Sequence, residues 1–254
     1  MKISIITVTK NSASTISRTV HSVNFQRDVD VEHVIKDAIS TDKTIELAKN
    51  NNPNVSVLIQ SDIGIYDAMN QGFFHSTGEI IAFLNSDDYY IDDHVLCEVA
   101  DCFVKNNCDF VYADIQMVSL TGKVVREWKV GNIGDGILLG QQIPHPGLFI
   151  KRSVIERIGL PFDPTYKISA DLKQQLIMIN YLRLKGSYLN RTVVIMETGG
   201  ESTNSFSSYY LGWKESVRAY NEVFDRGGLY FVIKKVFSKF SGLKVIAQVA
   251  HFGK

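Results

Sequence analysis

The chain has 254 residues, 45% hydrophobic and 21% charged, and its 27 basic and 27 acidic side chains leave a formal net charge of zero. That composition excludes a disordered or fibrous protein, and it leaves no overall positive field of the kind that draws a protein onto nucleic acid. The length suits one large domain or two small ones.

The run ISIITVT over 3–9 is continuous and β-branched, the pattern of a strand buried on both faces. Asn11 and Ser12 supply N-cap chemistry for a helix with Ile16, Val20 and Val23 on one stripe. The unit then repeats. VEHVIKD and VSVLIQS read as strands, each followed by a helix, STDKTIELAKNN and GIYDAMNQGFF. EIIAFLNS is a fourth strand, and DDHVLCEVADCFVKNN a helix with Val95, Val99 and Phe103 in register. Strands alternating with helices predict parallel pairing through crossovers in an open α/β sheet.

After Asn107 the pattern changes. DFVYADIQMVSLTGKVVREWKV reads as strand, Thr-Gly turn, strand, which is a hairpin. PGLFIKR follows, then a helix SVIERIG, a long helical stretch from Ser169 to Leu184 and a late strand SYLNRTVVIME. TGGESTNSFSS has the composition of a loop that could close as a lid. From Leu229 onward, Val232, Ile233, Val236, Phe240, Leu243, Ala247 and Ala250 keep helical spacing, broken at Gly242. Beyond Asp225 there are six basic residues and no acid. This end reads either as a helix docked on the domain with a solvated lysine face or as an interfacial helix against an anionic membrane. The expected organisation is one domain over 1–225, with halves 1–107 and 108–225, and a basic amphipathic C-terminal segment over 226–254.

Cys97, Cys102 and Cys108 lack CxxC spacing, and their odd number argues against a disulfide framework. The N-terminus has no apolar leader region, and no apolar run approaches the roughly 20 residues of a spanning helix. The expected location is the cytoplasm, at most on the inner face of the cell membrane.

In open α/β sheets, ligands bind beyond the carboxyl ends of the strands. Those ends carry Thr7, Thr9 and Asn11 after the first strand, Asp37 and Asp42 after the second, Asp62 after the third, and Ser86, Asp87 and Asp88 after the fourth. A dinucleotide fold would place GxGxxG after the first strand, where TKNSAST stands, and there is no Walker loop. GNIGDGILLG has glycines but lacks the strand-turn-helix context. Asp42 reads as a helix-start charge and Asp37 as a ligand contact. Asp87 and Asp88 are either an ordinary surface turn or a pair that holds a divalent ion, which in turn grips a diphosphate. Hard oxygen ligands suit Mg²⁺ or Mn²⁺ better than zinc. Asp171 reads equally as an N-terminal helix charge or as a chemical group. Tyr66, Tyr89, Tyr90 and Trp128 could stack on a sugar or simply pack.

Six motifs in order, SIITVTKN, VIKDAISTDKT, SDIGIYDAMNQGF, GEIIAFLNSDDYY, HPGLFIKRSVIERIG and ISADLKQQLI, resemble the family-2 inverting glycosyltransferases of bacterial surface-polysaccharide type, over residues 1 to about 185. The resemblance implies the GT-A fold: a mostly parallel central sheet flanked by helices, here with a C-terminal helical extension. It implies that Thr7, Thr9 and Asp37 line a nucleotide pocket, with Asp37 on the base, and that Asp62 and Asn70 border the nucleotide and donor sugar. Ser86 belongs to the same rim, Asp87 would face the ribose or donor sugar, and Asp88 would ligate Mn²⁺ or Mg²⁺. Asp171 matches the catalytic base. His145, held between two prolines, matches a loop near the acceptor, although a structural histidine would look the same. Ala38 stands where glycine is usual, Pro146 where glutamine is frequent, and SAD where ED is commoner.

The activity so implied is metal-dependent, inverting hexosyl transfer from a nucleotide sugar to a saccharide or lipid-linked acceptor, in cell-surface polysaccharide or O-antigen assembly. The C-terminal segment would give peripheral membrane contact, and no nucleic acid is involved. The alternatives are a non-catalytic sugar-nucleotide-binding or scaffold protein, and a sugar-phosphate nucleotidyltransferase. The latter would need a Gly-rich basic loop after the first strand, which is absent.

Overall fold

The structure is a computed structural model that describes residues 1–133, 142–198 and 206–235. Most of GNIGDGILLG, most of the lid-like loop, and the C-terminal segment from 236 lie outside the described residues.

The first half alternates as its sequence predicts. The elements are β1 (Lys2–Thr9), α1 (Ile16–Asn24), β2 (Asp30–Asp37), α2 (Thr44–Asn51), β3 (Ser56–Ile59), α3 (Ile65–His75) and β4 (Ile80–Phe83). β1 pairs in parallel with both β2 and β4, and β2 in parallel with β3. Successive β1 residues feed opposite faces. Ile3 and Ile5 join one apolar cluster, Ile6 and Val8 another, so the continuous apolar run follows from burial on both sides. α3 lies tight on β1 at Gly72, where a Cβ would come within 2.5 Å of the Ile6 side chain.

The second half adds β5 (Tyr89–Tyr90), α4 (Val95–Asn106), β6 (Phe110–Val118), β7 (Val124–Trp128), β8 (Leu148–Lys151), α5 (Arg152–Ile158), α6 (Ala170–Gln175), β9 (Gly186–Glu197) and α7 (Phe206–Phe224). The sheet order is β3-β2-β1-β4-β8-β6-β9-β5, with β7 paired to β6 as the expected hairpin. β8 runs antiparallel to both β4 and β6, whereas β6 and β9 pair in parallel over most of their length. The result is a mostly parallel mixed sheet with helices on both faces.

Two helices are shorter than the sequence suggests. α2 begins at Thr44 because Ser40 is held in a turn, its backbone N–H and hydroxyl both donating to the Asp37 carboxylate. The stretch from Ser169 to Leu184 divides into α6 and a π-helical turn over Leu176–Tyr181. The apolar residues Leu176–Ile179 are consecutive and so satisfy either helical period, and pattern alone could not separate the two. Gln174 and Gln175 anchor α6 by bonding the carbonyls of Pro161 and Ile143, each at 2.8 Å.

The start of the C-terminal segment is packed on the domain. Residues 228–235 are helical, Phe231 and Val232 are buried in the α3–α6 cluster, and the Phe231 ring stacks on Tyr220 at 5.0 Å. Among the described residues, no helix is long and apolar enough to cross a membrane. Cys97, Cys102 and Cys108 are free thiols.

Candidate functional site at the strand tips

The chain runs from β1 outward to β2 and β3, then returns to place β4 on the other side of β1. In open α/β sheets, ligands are held beyond the carboxyl ends of the strands that flank such a reversal, here β1 and β4. The Ser86 hydroxyl, after β4, donates to the Ser12 hydroxyl, after β1, at 2.9 Å between the two strand tips.

The turn that carries the two aspartates is fixed from α1. The Thr19 hydroxyl lies 2.9 Å from the Ser86 carbonyl and 2.8 Å from the Asp88 carbonyl. Arg18 donates to the Asp87 carbonyl at 3.3 Å, pairs with Glu197 at 2.7 Å and lies 4.3 Å over the Tyr89 ring. Three successive carbonyls are thereby held by two adjacent residues of one helix.

The Asp88 carboxylate is 1% exposed, and neither of its buried oxygens has a hydrogen bond of good geometry, Asn85 being the one polar neighbour that approaches it and opposes the effect of burial. Burial, and then the neighbouring Asp87 charge, push its carboxyl well above the usual range. Asp87 is half-buried and is pushed the same way, by burial first and then by Glu197, with Arg18 opposing. An orphaned buried carboxylate beside a second carboxylate fits a hard divalent cation, whose remaining positions phosphate oxygens could fill. Among the described residues, the one group of three or more His, Cys, Asp or Glu side chains close enough to share a metal is a different one, Asp92, Asp93 and His94. Its members are mostly exposed and already paired, Asp92 with Arg191 and Asp93 with Arg27 and His94.

The other rim residues divide into two sets. Thr9, whose buried hydroxyl has no partner, ends β1 next to Asp37, and its carbonyl receives the Ala38 N–H at 2.9 Å. Asp37 is 1% exposed and its carboxylate is engaged by Ser40; Ile39 between them is held at φ 58°, a costly conformation for a β-branched residue. Asn11 closes this corner, its side-chain carbonyl accepting from the Thr41 N–H at 2.9 Å.

Thr7, Asp62 and Asn70, by contrast, are occupied inside the fold. Thr7 is fully buried and bonds His33 at 2.9 Å. Asp62 neutralises Lys36, which is 0% exposed. Asn70 bonds the Phe162 backbone twice, at 2.8 and 3.0 Å, fastening α3 to the loop before α6. Asp42 meets the reading of a helix-start charge, accepting from the Thr44 and Ala13 N–H groups.

His145 lies on a 3₁₀ turn with its Nε2 3.5 Å from the Asn85 side chain, so it stands beside the acidic turn. Its Nδ1 is buried without a partner, and burial lowers the ring to about 4, which leaves it neutral at pH 7.

Asp171 opens α6 within a second group. Its Oδ1 accepts from the Leu172 N–H at 2.8 Å and its Oδ2 from the Gln142 side chain at 2.7 Å. Burial raises its carboxyl and the Lys235 charge opposes that rise. The preceding backbone is held by Glu215 of α7, whose carboxylate accepts from the N–H groups of Lys167, Ile168 and Ser169 at 2.8–2.9 Å. The Tyr66 hydroxyl donates to the Ile168 carbonyl at 2.6 Å.

The sequence reading missed Arg18, Thr19, Gln142, Glu197 and Glu215. One signal was available for Thr19: it is a polar residue at a position of the 16-20-23 stripe and is 0% exposed. The others are distant in sequence from the groups they hold.

Comparison with known proteins places this geometry in context. The profile of glycosyl transferase family 2 matches residues 4–146. A PGL/p-HBAD biosynthesis glycosyltransferase of Mycobacterium tuberculosis (strain ATCC 25177 / H37Ra) is 32% identical over 173 residues, 66% of this chain and 66% of that protein. The chain thus matches just under two thirds of that relative's length. An uncharacterized glycosyltransferase of Nostoc sp. is 28% identical over 190 residues, 67% of this chain and 57% of that protein. Among solved structures, S. aureus TarS 1-349 in complex with UDP-GlcNAc superposes with a TM-score of 0.71 at 18% identity, covering 95% of this chain and 73% of that one. The mannosyltransferase PcManGT from Pyrobaculum calidifontis, in complex with GDP-Man and Mn²⁺, gives 0.62 at 14% identity over 98% and 79%. At such identities the likeness is one of fold.

Proposed function

The chain belongs to glycosyl transferase family 2 and has the GT-A fold, and on that premise we propose that it is a metal-dependent inverting glycosyltransferase. It would move a hexosyl group from a nucleotide sugar to a saccharide or lipid-linked acceptor in cell-surface polysaccharide assembly. The observation that supports this reading best is the Asp88 carboxylate, buried, unpartnered and pinned at the β4 tip. Two proteins of like fold are consistent with this donor class: the TarS structure holds UDP-GlcNAc and the PcManGT structure holds GDP-Man with Mn²⁺.

In this mechanism Asp88 would hold Mn²⁺ or Mg²⁺, with Asp87 next to the donor. The ion, when bound, supplies positive charge against the departing diphosphate. Thr19 and Arg18 keep the turn in place, and Thr9, Asp37 and Ser86 border the nucleotide. Asp171 takes the proton of the acceptor hydroxyl as that oxygen attacks the anomeric carbon and the bond to the diphosphate breaks with inversion. Burial raises the Asp171 carboxyl, which makes it a stronger base than a solvated aspartate, and its two hydrogen bonds hold it in one orientation. His145, neutral beside Asn85, contributes a polar wall rather than a charge.

The test uses UDP-GlcNAc, UDP-glucose and GDP-mannose, first by thermal shift with Mn²⁺ and then by release of nucleoside diphosphate. The expected result is Mn²⁺-dependent release that Asp88→Ala abolishes, and an Asp171→Asn variant that keeps the thermal shift but loses release. Full release by Asp171→Asn would overturn its role as base, and donor binding unaffected by EDTA and by Asp88→Ala would overturn the metal reading.

A further inference from the structure

Gln142 lies between two charged groups. Its Oε1 accepts from the Lys235 Nζ at 2.9 Å, and its Nε2 donates to the Asp171 Oδ2 at 2.7 Å. The three residues come from the stretch before β8, the start of α6 and the helical residues 228–235. An amide between an ammonium and a carboxylate has one good orientation. Flipped, its NH₂ would face the cation and its oxygen the anion. We propose that Lys235 is a positioning residue for Asp171, locking the Gln142 amide so that one N–H is committed to the Asp171 carboxylate. The inference rests on the reading of Asp171 as the base.

Three further observations support it. Lys235 is the cation that opposes the burial of Asp171, so the relay is electrostatic as well as geometric. Among the described residues, Tyr66, which feels the Asp171 charge, has its hydroxyl bonded to the Ile168 carbonyl, and the Glu215 carboxylate is taken by three backbone N–H groups just before Asp171. Neither offers a compensating positive charge. Finally, apolar packing docks the helix that carries Lys235, with Phe231 and Val232 2% and 7% exposed in the core. Residues 228–235 lie beyond the family match at 4–146, so this chain's C-terminal part completes the surroundings of the base.

The test is a pH profile of Mn²⁺-dependent diphosphate release from UDP-GlcNAc or GDP-mannose, whichever is turned over, on the full chain and its K235M, K235R, Q142L and D171N variants. Without the cation the Asp171 carboxyl rises further, so the acid limb of kcat moves to higher pH in K235M. Plateau kcat falls about fivefold, the equivalent of one hydrogen bond, while donor KM and melting temperature stay near the parent values. K235R restores the limb, and Q142L shows the same loss as K235M. A K235M limb that superposes on the parent overturns the inference, as does a loss of melting temperature with no movement of the limb. If D171N retains full release, the base assignment itself has failed; an inactive D171N with an unmoved K235M limb refutes only the relay.

Discussion

Replacing Asp88 by Asn should make the metal-free protein more stable and the metal-bound protein less so. Neither buried Asp88 oxygen has a well-formed hydrogen bond, and burial beside Asp87 disfavours the charged form, so this carboxyl is a cost that the fold carries in the absence of a cation. Groups left in that state cost about 1–3 kcal/mol. For a chain of this size about 1 kcal/mol moves the melting temperature by roughly 2–4 °C. Asp88→Asn, which removes the charge but leaves a buried amide, should therefore melt above the parent in EDTA, by at most roughly 12 °C. The order reverses on adding Mn²⁺ and UDP or GDP. A ligand at a hundred times its Kd stabilises by about 2.7 kcal/mol, and that gain belongs to the parent alone. Calorimetric melts of the two proteins, each with EDTA and with Mn²⁺ plus nucleoside diphosphate, give the four values needed. If Asp88→Asn melts below the parent in EDTA, or gains as much from Mn²⁺ as the parent does, the orphaned carboxylate is not a metal ligand.

Glu215→Gln leaves an amide oxygen to serve three N–H donors, and loss of charge-assisted bonds predicts about 2–4 kcal/mol of destabilisation in urea titrations, with diphosphate release falling more than nucleotide binding. Asp62→Ala strands the fully buried Lys36 and should cost about 3–5 kcal/mol, most of it recovered in the double variant Lys36→Met/Asp62→Ala; an equally unstable double variant would contradict the pairing. His33 is buried with its Nδ1 unpartnered, which lowers the ring to about 3 from its ordinary 6.5. The unfolded chain therefore takes up this proton first, so stability present above pH 6.5 is lost as pH falls toward 3, by up to roughly 1.4 kcal/mol per pH unit. His33→Gln should flatten that slope in denaturant titrations at pH 4.5 and 7, and an unchanged slope would assign it elsewhere.

The alternation of strands and helices, the hairpin after Asn107 and the acidic end of β4 were legible in the sequence because each depends on local periodicity and turn chemistry. Ile3 to Thr9 had to be buried on both faces, and the packing of α3 against β1 at Gly72 shows why. Which polar residues line the strand tips and which are consumed by the fold depends on partners far along the chain. Thr7 and Asp62 lie within three residues of a strand end, near Thr9 and Asp37, yet one is taken by His33 and the other by Lys36. The Thr19 position on the apolar stripe signalled a buried polar group, but its partners, like those of Arg18 and Glu197, were not legible, since 67 or more residues separate each from the turn that it holds or faces. The sequence by itself determined the layered α/β architecture and the carboxylates available to it, because hydrophobic period and charge are local properties. Only the tertiary structure decided which carboxylates stay unpaired, because a buried charge is satisfied or stranded by contacts that chain order does not specify.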